Sequence, residues 1–270
     1  MENEDLGYDT FFEENRNRLG LSVLPVARVI SEHKGFYKIK NKNGEFLAKV
    51  AGKQIFKAAS REDYPAVGDW VTITELDHSQ AVIHSILPRR TIIKRKHGDK
   101  NKKSKKNETQ IIAANIDIVF VVESVDRDYN LNRFERYFSL IENGGARPAI
   151  ILNKTDLLSQ EELSDRKTRL KDRFPDVDVI YTSTLSNDGL SDLKNYITKG
   201  KTYCFLGSSG VGKSSLINRL LDDSIIKTRE VSSYSDRGKH TTTSRQMYVL
   251  KNGGIVIDNP GMREVDVTEA

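Results

Sequence analysis

Residues 207–215, GSSGVGKSS, carry Gly207, Gly212, Lys213 and Ser214 at the spacing G-x-x-x-x-G-K-[ST]. Gly207, Gly210 and Gly212 allow backbone N–H groups to turn inward and approach a phosphate closely at the head of a helix. Ser208, Ser209, Val211 and Ser215 complete the loop. Lys213 is placed to reach the β- and γ-oxygens of a triphosphate, and the Ser214 hydroxyl to ligate Mg²⁺. Such a loop needs a strand before it and a helix after it, and the runs TYCFL and SSLINRLL supply both.

A second cluster names the base. NKTD, Asn153, Lys154, Thr155 and Asp156, follows the apolar run PAIIL. A carboxylate at that strand end accepts two hydrogen bonds, from guanine N1–H and from its exocyclic amine, which adenine does not offer. A site with such an unmet acceptor rejects the wrong base by several kcal/mol. The nucleotide is therefore read as GTP. Ser183, in YTSTLSNDGL, is the expected support of the guanine site. DNPG at 258–261 ends the run GIVI. It gives Asp258 as a Mg²⁺ holder through water and Gly261 as a backbone donor to the γ-phosphate, with a plain Asn-Pro-Gly turn as the competing reading. GKHTTTSR offers a threonine that closes on Mg²⁺ (Thr242, among Thr241–Thr243).

The motif order is unusual. An ordinary GTPase runs phosphate loop, switch threonine, DxxG, NKxD and then the serine loop. Here NKTD and Ser183 precede residue 207, so one circularly permuted GTP-binding domain is expected. Domain termini lie close together at the surface, and joining and reopening them leaves core contacts intact.

The elements behind these motifs divide in two. From Leu21 to Pro88, five short alternating runs with a turn at KNGE suggest a five-stranded OB-like β-barrel, a fold that commonly takes nucleic acid, with an SH3-like barrel as the alternative that reads similarly. Beyond it, continuous apolar strands such as IDIVFVVESV alternate with helices, as in a three-layer α/β/α sandwich with a mostly parallel sheet. The expected division is 1–20, an N-terminal helical segment; 21–90, the barrel; 91–110, a basic linker; and 111–270, the GTPase domain.

Charge is concentrated at that linker. KRKHGDKNKKSKK, residues 94–106, holds eight Lys/Arg and one Asp, while the whole 270-residue chain carries +5. The remainder is thus slightly acidic. The segment reads either as a solvated linker or as a phosphate-backbone contact through Lys102, Lys103, Lys105 and Lys106. With 37% hydrophobic and 30% charged residues, the composition is that of a soluble globular protein. No apolar stretch is long enough to span a bilayer, and MENEDLGYDTFF lacks the pattern of a signal peptide. The single cysteine, Cys204, reads as a buried strand residue. A cytoplasmic monomer with no membrane contact is expected.

Together, GSSGVGKSSLIN, GKHTTT, DNPGMRE, GFYKIK, YPAVGDWV, LPRRT and AANIDIVFVV make the chain resemble the ribosome small-subunit-dependent GTPase A family, RsgA or YjeQ, over nearly its whole length. The resemblance implies a GTPase converting GTP to GDP and phosphate, with Mg²⁺. It also implies the small ribosomal subunit and its rRNA as partner, hydrolysis late in subunit maturation, and self-release. The family continues into a helical domain holding zinc through three Cys and one His. This chain stops at Ala270 with one cysteine, so no zinc site is expected in it and truncation is favoured. Met262 stands where many GTPases carry a water-orienting glutamine. His240 is the candidate to polarise water, beside the reading of it as a surface histidine, and Lys213 and Gly261 complete the catalytic set. The alternatives are a free regulatory GTPase switch, which needs neither the barrel nor the basic segment, and an RNA-binding module with an inactive GTPase domain, whose nucleotide motifs would have decayed.

Overall fold

Alternation of apolar and polar residues gives a strand one buried face, and between Val26 and Ile86 that pattern recurs. The computed structural model describes residues 1–33, 35–52, 58, 60–97, 108–126, 129–222 and 245–258. It contains β1 (Val26–His33), β2 (Phe36–Asn41), β3 (Gly44–Val50), β4 (Trp70–Glu75) and β5 (Gln80–Ile86). They pair in the order β1–β2–β3–β5–β4, and β1 returns to pair with β4, closing the sheet. β3 and β5 run parallel while the other neighbours are antiparallel. This is the five-stranded OB barrel. The turn at KNGE sets Asn41 opposite Gly44, and Val29, Ile39, Phe46, Val71 and Ile83 fill the interior. Ahead of the barrel, Asp9 caps helix α1 (Thr10–Arg18) by accepting from the Phe11 N–H.

The ends of the basic segment are strands. β6 (Ile92–His97) and β7 (Glu108–Ala114) form an antiparallel hairpin registered from Ile92↔Ala114 out to His97↔Glu108. The sequence over 91–110 reads as linker because IIKRKH shows too little apolar alternation. Pairing with β7, and burial of Ile93, Ile111, Ile112 and Ala113 at its base, hold the hairpin instead.

The remaining strands are β8 (Ile118–Ser124), β9 (Arg147–Asn153), β10 (Val179–Thr182), β11 (Thr202–Leu206), β12 (Gln246–Val249) and β13 (Ile255–Asp258). Their order is β10–β9–β8–β11–β13–β12; all are parallel except β12. Helices α2 (Leu131–Asn143), α3 (Gln160–Arg173), α4 (Leu190–Tyr196) and α5 (Lys213–Asp222) cover the two faces. Successive strand residues point to opposite sides. Accordingly Val119 and Val121 join Phe134, Ile141 and Leu170 of α2 and α3, whereas Phe120 and Val122 join Leu193, Leu216 and Leu220 of α4 and α5. Asn130 caps α2, and a Ser159–Glu162 capping box starts α3. In this order the helix after the serine loop, α4, leads straight into the phosphate-loop strand β11. That connection is the permutation.

Barrel and α/β sandwich share one seam. Ser31 of β1 pairs with Gln246 of β12, so among the described residues eleven strands form one continuous sheet. Phe12 of α1, Val67, Trp70 and Leu87 belong to the same apolar cluster as the strands beneath α2. At the centre Arg28, 1% exposed, donates to the carbonyls of Leu6 (2.5 Å), Gly68 (3.2 Å) and Asn115 (3.1 Å) and to Thr202 Oγ1 (2.9 Å). Burial pushes its pKa down to about 10, which leaves it charged at neutral pH.

Candidate functional site: a nucleotide pocket at the strand ends

In an open α/β sheet, ligands bind beyond the carboxyl ends of the parallel strands. Here those ends carry the sequence motifs side by side. Ser124, Asn153 and Thr182 are in register at the ends of β8, β9 and β10, and the loop from Gly207 leaves the end of β11. With strands about 4.8 Å apart, the NKTD strand and the phosphate-loop strand, separated only by β8, lie about 10 Å apart. A nucleotide laid across three strands bridges that gap.

The phosphate loop is shaped by what surrounds it. Gly207 has φ 143°, Gly210 φ 84° and Gly212 φ 99°, values that side-chain-bearing residues rarely adopt. At two of the three, space is equally restrictive. A Cβ on Gly207 would stand 2.1 Å from the Val122 carbonyl oxygen, and one on Gly212 would stand 2.2 Å from Asn153 Nδ2. Gly210 differs, since a Cβ there would meet open space. Against the rest of the protein, then, Gly207 and Gly212 are restricted by both space and backbone angle, and Gly210 by its backbone angle. Lys213 Nζ donates to the carbonyls of Gly207 (2.6 Å) and Ser208 (2.5 Å), so its side chain folds back across the loop. Arg133 of α2 supports the loop from outside, donating to Ser208 Oγ (3.0 Å) and pairing with the buried Glu123 (3.3 Å).

The two motifs are physically joined. Asn153, fully buried, donates from Nδ2 to the Val211 carbonyl inside the phosphate loop (2.9 Å). Its Oδ1 accepts from the Thr182 hydroxyl (3.0 Å), and Thr155 Oγ1 donates to the Thr182 carbonyl (3.2 Å). Lys154 sits at φ 62° and donates to Asp126 Oδ2 (2.7 Å). That bond first, and the Ser124 hydroxyl second, hold the Asp126 carboxyl below its ordinary value. Asp156 is exposed. The Ser183 hydroxyl donates to its Oδ1 (2.5 Å) while accepting from the N–H groups of Leu185 and Ser186 (both 3.1 Å). A carboxylate has about four lone-pair sites, so this bond leaves Asp156 free to accept two more.

A family model described as RsgA GTPase matches residues 86–268. The chain belongs to the RsgA GTPase family. It is accordingly a GTP hydrolase, and membership of a GTPase family implies GTP, GDP and Mg²⁺ in general. The small ribosomal subunit biogenesis GTPase RsgA 2 of Lactiplantibacillus plantarum is 40% identical over 242 residues, covering 90% of this chain and 66% of the relative. The RsgA of Syntrophotalea carbinolica is 38% identical over 268 residues, covering 98% and 72%. The chain thus spans about two thirds to three quarters of these relatives. Among solved structures, YjeQ from Thermotoga maritima superposes with a TM-score of 0.66 at 25% identity, over 87% of this chain and 74% of that one. YloQ, described as a circularly permuted GTPase, gives 0.61 at 23% identity over 92% and 75%, a likeness of fold.

Within this chain the structure brings together Asn153, Lys154, Thr155, Asp156, Ser183 and the loop 207–215. Asp258 ends β13, beside the phosphate-loop strand. Thr242, His240, Gly261, Lys102, Lys103, Lys105 and Lys106 lie outside the described residues. Sequence reasoning passed over Thr182, Asp126, Arg133 and Glu123. For Asp126 the signal was present: like NKTD, it follows directly on a buried apolar strand. Arg133 and Thr182 gave none, since their roles arise only when α2 and β10 pack beside β8 and β9. Among the described residues no helix is long and apolar enough to cross a membrane.

Proposed function

We propose that this chain acts as a GTP-hydrolysing small-subunit assembly factor that binds the small ribosomal subunit and its rRNA late in maturation, in the cytoplasm, and leaves on hydrolysis. The bond from Asn153 Nδ2 to the Val211 carbonyl carries this reading, because it ties a guanine-type loop to a triphosphate-type loop. Asp156 accepts from guanine N1–H and its exocyclic amine, and Ser183 fixes the carboxylate for that contact. The Lys154 stem, anchored by Asp126, lies along the base. The N–H groups of 207–213 enclose the β-phosphate, and Lys213 exchanges its two loop carbonyls for phosphate oxygens.

The residues suit the ion as well. Ser214 opens helix α5 with its side chain exposed, and Asp258 ends the adjacent strand, an oxygen set matched to Mg²⁺. When bound, Mg²⁺ held by these oxygens would supply charge neutralisation to the phosphates during hydrolysis. Thr242 and Gly261 are the proposed switch contacts to the ion and to the γ-phosphate. Met262 offers only a weakly accepting thioether, so we assign water polarisation to His240.

The likeness to proteins named for small-subunit biogenesis, the OB barrel and the +7 segment support an RNA-bearing partner. The test is GTP turnover by the full chain with and without purified small subunits. Turnover is expected to rise at least tenfold with subunits. Equal turnover in both would favour a free regulatory switch.

A further inference from the structure

A cavity of about 250 Å³ opens at the mouth of the barrel, lined by none of the nucleotide-site residues. Its walls include Glu32, Tyr37, Arg61, Tyr64, Gln110 and Ile111. Tyr37 packs on the barrel interior, and Gln110 and Ile111 come from hairpin strand β7. At about 30 Å³ per water, the volume equals roughly eight waters. This is the scale of one nucleobase and too small for a nucleotide triphosphate.

Its chemistry is that of base recognition. Unpaired RNA bases stack on tyrosine rings or arginine planes and are read by hydrogen bonds at their edges. Tyr37 and Tyr64 supply rings, Arg61 a guanidinium plane, Gln110 both a donor and an acceptor, and Glu32 a carboxylate acceptor. Glu32 is itself held by Arg245 Nη1 at 3.3 Å, and the same nitrogen donates to the Ile111 carbonyl at 3.2 Å. That leaves further lone pairs on the carboxylate for an incoming amine. Gln110 pairs with Arg95 in the hairpin and stands four residues beyond Lys106.

We propose that this barrel-mouth cavity takes a single unpaired, amino-bearing RNA base, adenine first among them, stacked on Tyr64 and read by Glu32. The proposal rests on the RNA-partner reading above but concerns a site separate from the GTP pocket. Arg245 directly follows the switch loop GKHTTTS in sequence. The Arg245–Glu32 pair therefore also sets the base-reading carboxylate one residue from the segment that answers to the γ-phosphate.

The experiment uses the full chain, fluorescently end-labelled hexamers A6 and U6 followed by anisotropy at one fixed salt concentration, and a parallel titration with fluorescent GDP. Wild type is expected to bind A6 more tightly than U6, since uracil has no exocyclic amine. Tyr64→Ala should weaken A6 at least fivefold, Tyr64→Phe should stay within twofold of wild type, and Glu32→Gln should bring A6 and U6 together. GDP binding should be unchanged in all three. The proposal is overturned if A6 does not bind, or if Tyr64→Ala leaves A6 within twofold while GDP still binds. It is equally overturned if Tyr64→Ala changes RNA-free GTP turnover and not A6 affinity, which would mean that the cavity seats part of this chain. Failure of wild type to bind GDP would count against the GTP site, with the A6 comparison still deciding the cavity.

Discussion

Asn153 shows how much of this site depends on bonds that a motif side chain makes within the protein itself. Its amide satisfies the Val211 carbonyl on one side and the Thr182 hydroxyl on the other. Removing it leaves buried polar groups unpaired, at about 1–3 kcal/mol for each. Asn153→Ala is therefore expected to lower fluorescent-GDP affinity at least tenfold and to reduce thermal stability by several degrees. An unchanged affinity would show that the phosphate loop keeps its shape without this tether. The residue types of the site were legible in the sequence because phosphate cradling demands glycine, lysine and serine at fixed offsets. The bonds that lock them together were not, because Thr182, Asp126 and Arg133 act through neighbours brought up by sheet register.

Among the elements, the strands were the most readable. β8, β9 and β11 are continuous apolar runs, as burial on both faces requires, and the barrel strands alternate. The β6–β7 hairpin escaped because its outer half is lysine-rich and its pairing is a non-local fact. Its electrostatics remain a sequence-level argument. Each phosphate neutralised on single-stranded nucleic acid contributes about −0.7 to the slope of log K against log salt. Replacing Lys102, Lys103, Lys105 and Lys106 together by alanine is expected to weaken RNA binding and flatten that slope by about 2 to 3. A slope equal to wild type would leave the segment as a solvated connection.

Across the whole molecule, Arg28 joins what the sequence presents as separate units. Its guanidinium bonds the N-terminal segment at Leu6, the barrel at Gly68 and the sandwich at Asn115 and Thr202. A lone arginine inside VARVIS gave no hint of this, since a strand arginine usually faces water. Arg28→Leu strips buried carbonyls of their donor and should cost about 3 kcal/mol or more. Trp70, the sole tryptophan and fully buried at the seam, reports the consequence. In the variant its fluorescence is expected to change at lower urea than far-UV circular dichroism, whereas the two coincide in wild type. Coincident transitions in the variant would mean that the apolar seam alone keeps barrel and sandwich cooperative.

The central claim is that loops encoded in swapped order, NKTD before GSSGVGKS, grip one nucleotide between them. Xanthosine triphosphate carries a carbonyl where guanine has its amine, so Asp156→Asn should hydrolyse it in preference to GTP. Adding Lys213→Ala to that variant should abolish its xanthosine triphosphatase activity. The decisive measurement is turnover of both nucleotides by wild type, Asp156→Asn and the double variant. The expected result is an exchange of base preference at the first loop and loss of hydrolysis at the second. Retained guanine preference in Asp156→Asn, or undiminished hydrolysis in the double variant, would contradict a shared pocket.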